Sequence, residues 1–316
     1  MSLRGVVLLI ERSVVLRSRA IVSLFVLASG VSAHAGSSLG PVAHWRFDEG
    51  RGAVAGDSSG YRNTGTINGG ATWTDGVAGA AIRLDGVDDY IHCGNAAVLN
   101  PASELSISVW FRGTQSFSGS GNDPIVDKGY ISHSPPYYQY HLGITGNLYP
   151  SSPGTVGFTT SGGAGSGTSA AAWEVGVWHH YVATVSASEA NFYVDGVQVA
   201  HNVGSFAPMT DYGRPFLIGK FANLNFYLPG DIDDLQVYAR TLTCREVQFL
   251  NAHPGEIVTL GGSTVIDLDG DGSVSGPDLA VLLGAWGPCD ACAADLDCSG
   301  SVDAGDLAIL LGGWTG

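Results

Sequence analysis

The sequence predicts a mainly β protein. An antiparallel sandwich or jelly roll occupies residues 41–253, a joint follows at 254–264, and a small α-helical C-terminal domain of two loop–helix repeats fills 265–316. Three observations carry this reading. Short alternating apolar runs are punctuated by Gly, Asp and Asn clusters, and glycine supplies 46 of 316 residues, roughly twice ordinary usage and without a collagen period. Composition changes abruptly near residue 260: residues 262–316 hold nine Asp and no Glu, Lys or Arg. Finally, residues 266–286 and 294–314 are identical at 13 of 21 positions, an internal duplication at an offset of 28.

Residues 1–35 read as a secretory signal peptide. Arg17 and Arg19 precede the apolar run from Ala20 to Val31, which ends in Ala33-His34-Ala35 before Gly36. A positive flank, a short apolar stretch and an A-x-A site are the marks of a cleaved leader, and the run is too short to span a bilayer. Cleavage near Ala35 predicts a secreted or surface-held chain with 10 basic and 28 acidic residues, a net charge of -18. That balance excludes a nucleic-acid footprint, which needs a basic face. Export permits disulfides. Five cysteines remain (Cys93, Cys244, Cys289, Cys292 and Cys298), and an odd number leaves at least one thiol unpaired in a monomer. Cys289-x-x-Cys292 reads either as a redox or zinc pair or as part of a structural disulfide near Cys298.

Along the N-terminal half, Leu105, Ile107, Val109 and Phe111 alternate with Ser106, Ser108, Trp110 and Arg112, the pattern of a half-buried strand. Asn191–Val194, Asp195-Gly196 and Val197–Ala200 read as a hairpin with a two-residue turn. Ile232 to Tyr238 is a further strand, and Thr243-Cys-Arg-Glu246 is a capping box for a short helix ending near Leu250.

The C-terminal duplication has the ligand spacing of a calcium loop. Counting from the first Asp, loop one offers Asp267, Asp269 and Asp271 at positions 1, 3 and 5, Gly272 at 6, Ser273 at 7, Ser275 at 9 and Asp278 at 12. Loop two offers Asp295, Asp297 and Ser299, then Gly300, Ser301, Asp303 and Asp306. Alternate residues turn inward as such a loop curls round a hard cation, and Gly at position 6 allows the sharp bend. Each loop is followed by an apolar stripe at helical spacing: Leu279, Leu282, Leu283 and Trp286, repeated as Leu307, Leu310, Leu311 and Trp314. The stripes are expected to pack on one another. With only Gly-Gly-Ser-Thr-Val-Ile before Asp267, no entering helix is expected.

On these residues the C-terminal region resembles a dockerin domain. The resemblance implies two bound Ca2+ ions and docking to a cohesin-like partner. The family's Ser-Thr type contact pair at loop positions 10 and 11 is replaced here by Gly276-Pro277 and Ala304-Gly305, which leaves room for a different docking protein. The N-terminal half resembles LamG-like, concanavalin A-like jelly rolls in Trp45–Gly50, Asp57–Gly60, Leu84–Tyr90, Val109–Phe111, Trp178–His180, Tyr193–Gly196, Gly230–Asp234 and the Leu242-Thr243 and Glu246 segment. That resemblance implies recognition of a polysaccharide or glycoprotein glycan. It also implies one structural calcium with Asp57 and Asp233 as side-chain ligands, set against a reading in which Asp57 caps its own Ser-Ser-Gly turn and Asp233 is a solvated strand-edge residue.

No catalytic constellation is expected. Glycoside hydrolysis needs two carboxylates facing across a cleft. The nearest candidates are Asp231 and Asp233, since Asp88 and Asp89 are adjacent and should point to opposite faces of a strand. His179-His180 read as packed residues. The Gly/Ser/Pro-rich stretch 113–173, with Tyr130, Tyr137, Tyr138, Tyr140, Tyr149 and Trp173, is the candidate sugar-stacking surface. Adhesion through a protein ligand, or a divergent glycoside hydrolase, are the competing functions.

Overall fold

A computed structural model describes residues 40–115, 123–129, 138–144, 155–160, 163–172, 174–206, 209–222, 224–259, 263–289 and 292–315. The leader at 1–35 lies outside them, as do Tyr130, Tyr137, Tyr149 and Trp173. Residues 37–316 form one compact unit.

The chain begins with β1 (Ala43–Trp45), β2 (Val54–Ala55), β3 (Gly65–Asn68), β4 (Thr72–Asp75), β5 (Ala80–Asp85) and β6 (Tyr90–His92). It continues through β7 (Leu105–Gly113), β8 (Asp123–Lys128), β9 (Tyr140–Ile144), β10 (Thr155–Thr160), β11 (Gly163–Ala172) and β12 (His179–Val185). Then come β13 (Glu189–Val194), β14 (Val197–Val203), β15 (Phe216–Ile218), β16 (Pro229–Tyr238) and α1 (Cys244–Ala252). The C-terminal region holds α2 (Ser263–Ile266), α3 (Gly276–Gly284), the short pair β17 (Gly287–Pro288) and β18 (Ser301–Val302), and α4 (Ala304–Gly312).

Two antiparallel sheets make a jelly-roll-like sandwich. One runs β14-β13-β12-β7-β16-β5-β4, with β1 also on β16; the other runs β11-β10-β9-β8-β15-β6-β3-β2. Strand β16 is the centre of the first sheet. Its first half pairs with β5, its second half with β1 on the same edge, and β7 lies along its other edge. The inward residues of both sheets close a single core. Trp45 from the first sheet stacks on Phe216 from the second with ring centroids 5.1 Å apart, and its indole N–H donates to the Asn63 carbonyl at 2.9 Å.

The alternation in β7 sends Leu105, Ile107, Val109 and Phe111 into this core, as expected. The strand is not half-buried, however: Ser106 and Ser108 on its other face are buried too. The α1 segment covers that face, and the serines satisfy it. Ser106 Oγ donates to the Arg240 carbonyl at 2.9 Å and accepts from Leu242 N–H at 2.9 Å, while Ser108 Oγ lies 2.8 Å from His180 Nε2. The predicted hairpin forms between β13 and β14, with Asp195 and Gly196 at φ 50° and 80°, the left-handed pair a two-residue turn requires. Helix α1 has its capping box, Thr243 Oγ1 accepting from Glu246 N–H at 3.3 Å and Glu246 Oε2 from Thr243 N–H at 2.8 Å.

The 113–173 stretch departs most from expectation, since β8 to β11 run through it. Tyr140 is a core residue whose hydroxyl donates to the Leu99 carbonyl at 2.7 Å, and Tyr138 is buried in a cluster with Phe221. Neither ring is an exposed sugar platform.

In the C-terminal region, Val274, Leu282, Leu296, Val302 and Leu310 make a small core. The expected stripes divide. Leu282 and Leu310 are buried, whereas Leu283, Trp286, Leu311 and Trp314 remain exposed. Two nine-residue helices meeting at one seam cover about one row of residues each, so the second row has nothing to pack against. A single helical turn, α2, precedes Asp267, where none was expected.

Cys244 in α1 is bonded to Cys298 in the second loop, and Cys289 to Cys292; Cys93 is the buried free thiol. Around the first bridge, Arg245 Nε donates to the Asp295 carbonyl at 2.9 Å and Arg245 Nη2 to the Cys292 carbonyl. The second repeat is therefore fastened to the sandwich.

Two stability predictions follow from these contacts. Arg240 and Glu246 pair at 2.5 Å in a buried setting, and Glu246 also closes the capping box. Glu246→Ala should cost about 3 kcal/mol, read as a lowered midpoint in calorimetry; an unchanged midpoint would contradict the assignment. Burial holds His180 neutral, its pKa pushed down to about 4 against the opposing pull of Asp234 and Asp195. The folded state then binds fewer protons than the unfolded chain below the ordinary histidine range, so this contribution to stability is lost as pH falls towards 4. In His180→Asn the slope of melting temperature against pH over that window should flatten relative to the parent, and an identical slope would refute the argument.

Candidate metal loops and an adjoining polar groove

The two repeat loops have the same hydrogen-bond pattern. In loop one, Asp267 Oδ1 accepts from Gly270 N–H at 2.7 Å and Asp271 N–H at 3.1 Å, and its Oδ2 from Gly272 N–H at 2.8 Å. In loop two, Asp295 Oδ1 accepts from Ser299 N–H at 2.9 Å, and its Oδ2 from Gly300 N–H at 3.0 Å. Gly272 and Gly300 sit at φ 90° and 87°, where a side chain would be strained. The position-12 carboxylates are fully buried. Asp278 accepts from Leu268, Asp269 and Ser275 N–H groups at 2.6, 3.2 and 2.7 Å; Asp306 accepts from Leu296, Asp297 and Asp303 at 2.6, 3.1 and 2.7 Å. Burial works against the Asp278 anion, but its backbone donors win and hold its pKa below the usual carboxylate value.

Oxygen donors converge in both loops. Carboxylate oxygens of Asp267, Asp269 and Asp271 lie within 4.8 Å of one another, as do those of Asp295, Asp297 and Asp306. Ser273 N–H donates to Asp271 Oδ1 at 2.8 Å, and Ser275 is the N-cap of α3. Ser299 Oγ donates to the Ser301 carbonyl at 3.0 Å, and Asp303 is the N-cap of α4. This all-oxygen donor set fits a hard divalent cation.

Asp57 and Asp233 are not brought together in this way. Asp57 Oδ1 accepts from His44 and Ser59 N–H groups, each at 2.9 Å, and Oδ2 from the Asn63 backbone and side chain at 2.7 and 3.1 Å. Four donors reach that carboxylate, and Asp57 caps its own turn. Asp233 is a fully buried residue rather than a solvated edge. Its Oδ2 accepts from Val77 and Ala78 N–H at 2.8 and 3.1 Å, its Oδ1 has no partner, and burial pushes its pKa up to about 7.

Neither do Asp231 and Asp233 make an acid–nucleophile pair. Asp231 is fully buried on β16 between its cross-strand neighbours. Arg83 reaches it through Nε and Nη2 at 2.7 and 2.9 Å, and Arg112 through Nε at 2.7 Å. Asp88 and Asp89 do converge, with Asp85, because 86–88 is a turn and not a strand. His179 Nδ1 lies 2.7 Å from Asp195 Oδ2, and His180 is packed against Trp110.

One feature had no signal in the sequence: a polar groove of about 630 Å³ between the outer face of β13–β14 and the second loop. Glu189, Asn191, Tyr193, Gln198 and His201 line one wall, and Asp297 with Ser299 the other. The walls are far apart in the chain and meet because Cys244–Cys298 holds the loop beside α1.

The sequence of residues 85–248, which is 164 of 316, matches the family model of the concanavalin A-like lectin/glucanases superfamily. The chain belongs to that superfamily. No curated protein is a significant match to the sequence. Among solved structures, domain 4 of an extracellular GH43 arabinanase from Geobacillus stearothermophilus, in complex with arabinotriose, is similar at TM-score 0.53 and 20% identity, covering 67% of this chain and 98% of that one. The binding domain of Paraclostridial Mosquitocidal Protein 1 is similar at TM-score 0.53 and 17% identity, over 68% of this chain and 52% of that one. The binding domain of botulinum neurotoxin DC, in complex with rat synaptotagmin II, reaches 0.51 and 13%, over 67% and 51%. The chain thus spans about half the length of either toxin domain. At these identities the likeness is one of fold.

Asp306→Ala should release the Leu296, Asp297 and Asp303 N–H groups, each worth about 1–3 kcal/mol when buried and unpaired. Faster amide exchange at those three positions, with β7 and β16 protected as before, is the expected result; uniform protection would sink the assignment.

Proposed function

We propose that this chain is an exported, non-catalytic glycan-binding module whose dockerin-like C-terminal repeat takes up two calcium ions and docks to a protein partner, a cohesin or a relative of one. The observation that carries binding over catalysis is the Asp231 clamp. Two guanidiniums occupy both oxygens of the nearest candidate acid, which is fully buried on β16 and out of reach of a sugar. Glycan recognition is supported by the superfamily, which includes lectins, and by the arabinotriose bound to the arabinanase domain that shares this fold.

Calcium uptake is supported by the duplicated donor geometry, and docking by the exposed apolar side chains Val281 and Leu283 on α3, Leu311 on α4, and Trp286 and Trp314 just past their ends. No helix among the described residues is long and apolar enough to cross a membrane.

The test uses the chain from Gly36 onward. Calcium titration calorimetry should give two sites, with one lost in Asp267→Ala/Asp269→Ala and the other in Asp295→Ala/Asp297→Ala; no calcium heat would remove the metal reading. A glycan array should give retained ligands, and reducing-sugar assays on the same polysaccharides no product. Released reducing ends would replace this function with hydrolysis, and an empty array would end the glycan reading.

A further inference from the structure

The groove at the seam is the feature that neither the fold family nor the repeat accounts for. Its sheet wall is pre-ordered. Asn191 Oδ1 accepts from Gln198 Nε2 at 2.8 Å and from His201 Nδ1 at 2.6 Å. With Nδ1 committed to Asn191, His201 keeps Nε2, and Gln198 its carbonyl oxygen, for a ligand. Tyr193 forms the floor. It is 5% exposed, and burial with the nearby Glu189 pushes its pKa up to about 12, so its hydroxyl stays protonated and able to donate. Glu189, Asp297 and Ser299 add acceptors and a hydroxyl.

We propose that this groove binds a neutral, hydroxyl-rich oligosaccharide segment, and that it exists as a site only while the Cys244–Cys298 bridge holds the second loop against the sheet. The inference rests on the glycan-binding reading and assigns it a place. The lining mixes planar amide, imidazole and phenol groups with carboxylates, a set that can both donate to and accept from vicinal hydroxyls. Its volume lies within the range of small-ligand sites. Among the described residues, no Lys or Arg lines it. The loop's Asp295, Asp297, Asp303 and Asp306 together with Glu189 give five carboxylates, so a divalent cation in the loop still leaves the surroundings net negative. An acidic sugar is repelled there and a neutral one is not.

The second wall is set by the crosslink. Without the bridge, the Arg245 hydrogen bonds and the packing of Val265 against the α1 cluster remain, but the covalent tie that fixes Asp297 and Ser299 opposite the sheet is lost and the groove opens.

The test is calorimetric titration of the full chain from Gly36 with arabinotriose, xylotriose and cellotriose, and with 3′-sialyllactose as the acidic counterpart. At least one neutral trisaccharide should bind, and 3′-sialyllactose should bind at least tenfold more weakly. Asn191→Ala/His201→Ala should lower neutral affinity at least tenfold with an unchanged melting temperature. The exposed single change Gln198→Ala should lower it severalfold and serves if the double variant is poorly folded. Cys244→Ser/Cys298→Ser should lower affinity to a similar degree. Parent-like affinity in the Asn191/His201 and Gln198 variants overturns the placement, while hits on the glycan array keep the broader function alive. Parent-like affinity in the cysteine variant overturns the dependence on the bridge. Preference for 3′-sialyllactose, or no neutral binding, overturns the chemical class; an empty array removes both readings together.

Discussion

Strand β16 places three carboxylates in the interior, and the elements around it are held in place by the partners each of them takes. Asp231 is held by Arg83 and Arg112 from the strands on either side. Asp233 receives the backbone of the 76–80 hairpin through Val77 and Ala78. Asp234 binds His44 of β1 at 2.6 Å, Gln236 Nε2 at 2.9 Å and the Gly255 N–H at 2.8 Å. A buried charge without partners costs several kcal/mol. The first strand, the β4–β5 turn and the start of the joint are therefore all fixed by one acidic strand.

This constraint also bears on the β16 acids as candidate catalysts. A carboxylate that serves as acid or nucleophile needs solvent or substrate at one oxygen and a tunable charge. The β16 acids are committed to structure instead, with only Asp233 Oδ1 left unpaired. A polar surface open to a ligand lies on the edge strand β14 and its neighbour β13, where exposed side chains hydrogen-bond one another.

How much was legible in sequence follows from how local each interaction is. The β7 alternation, the Asp195-Gly196 turn, the Thr243/Glu246 box and the two loops depend on neighbours within a dozen residues, and the sequence states them directly. Strands β8 to β11 were hidden because Gly- and Ser-rich stretches carry no period of two. In β8, Asp127 and Lys128 are buried, with Lys128 Nζ donating to Asn95 Oδ1 and, at 2.6 Å, to the Arg214 carbonyl. Charges in that position read as surface. Asp57 and Asp233 lie at the other extreme: their motifs are conspicuous, but long-range convergence is not written in spacing, and the burial of Asp233 comes from partners about 155 residues away. The groove was invisible for the same reason, since its walls are roughly a hundred residues apart in the chain.

The bridge between α1 and the second loop has a mechanical consequence. It runs in parallel with the peptide joint and closes a loop of 54 residues. A load applied to the repeat through α3 and α4 enters the sandwich through α1 and its capping box as well as through the peptide chain. Two points of attachment fix direction as well as distance, where a single one would leave the repeat free to swing about it.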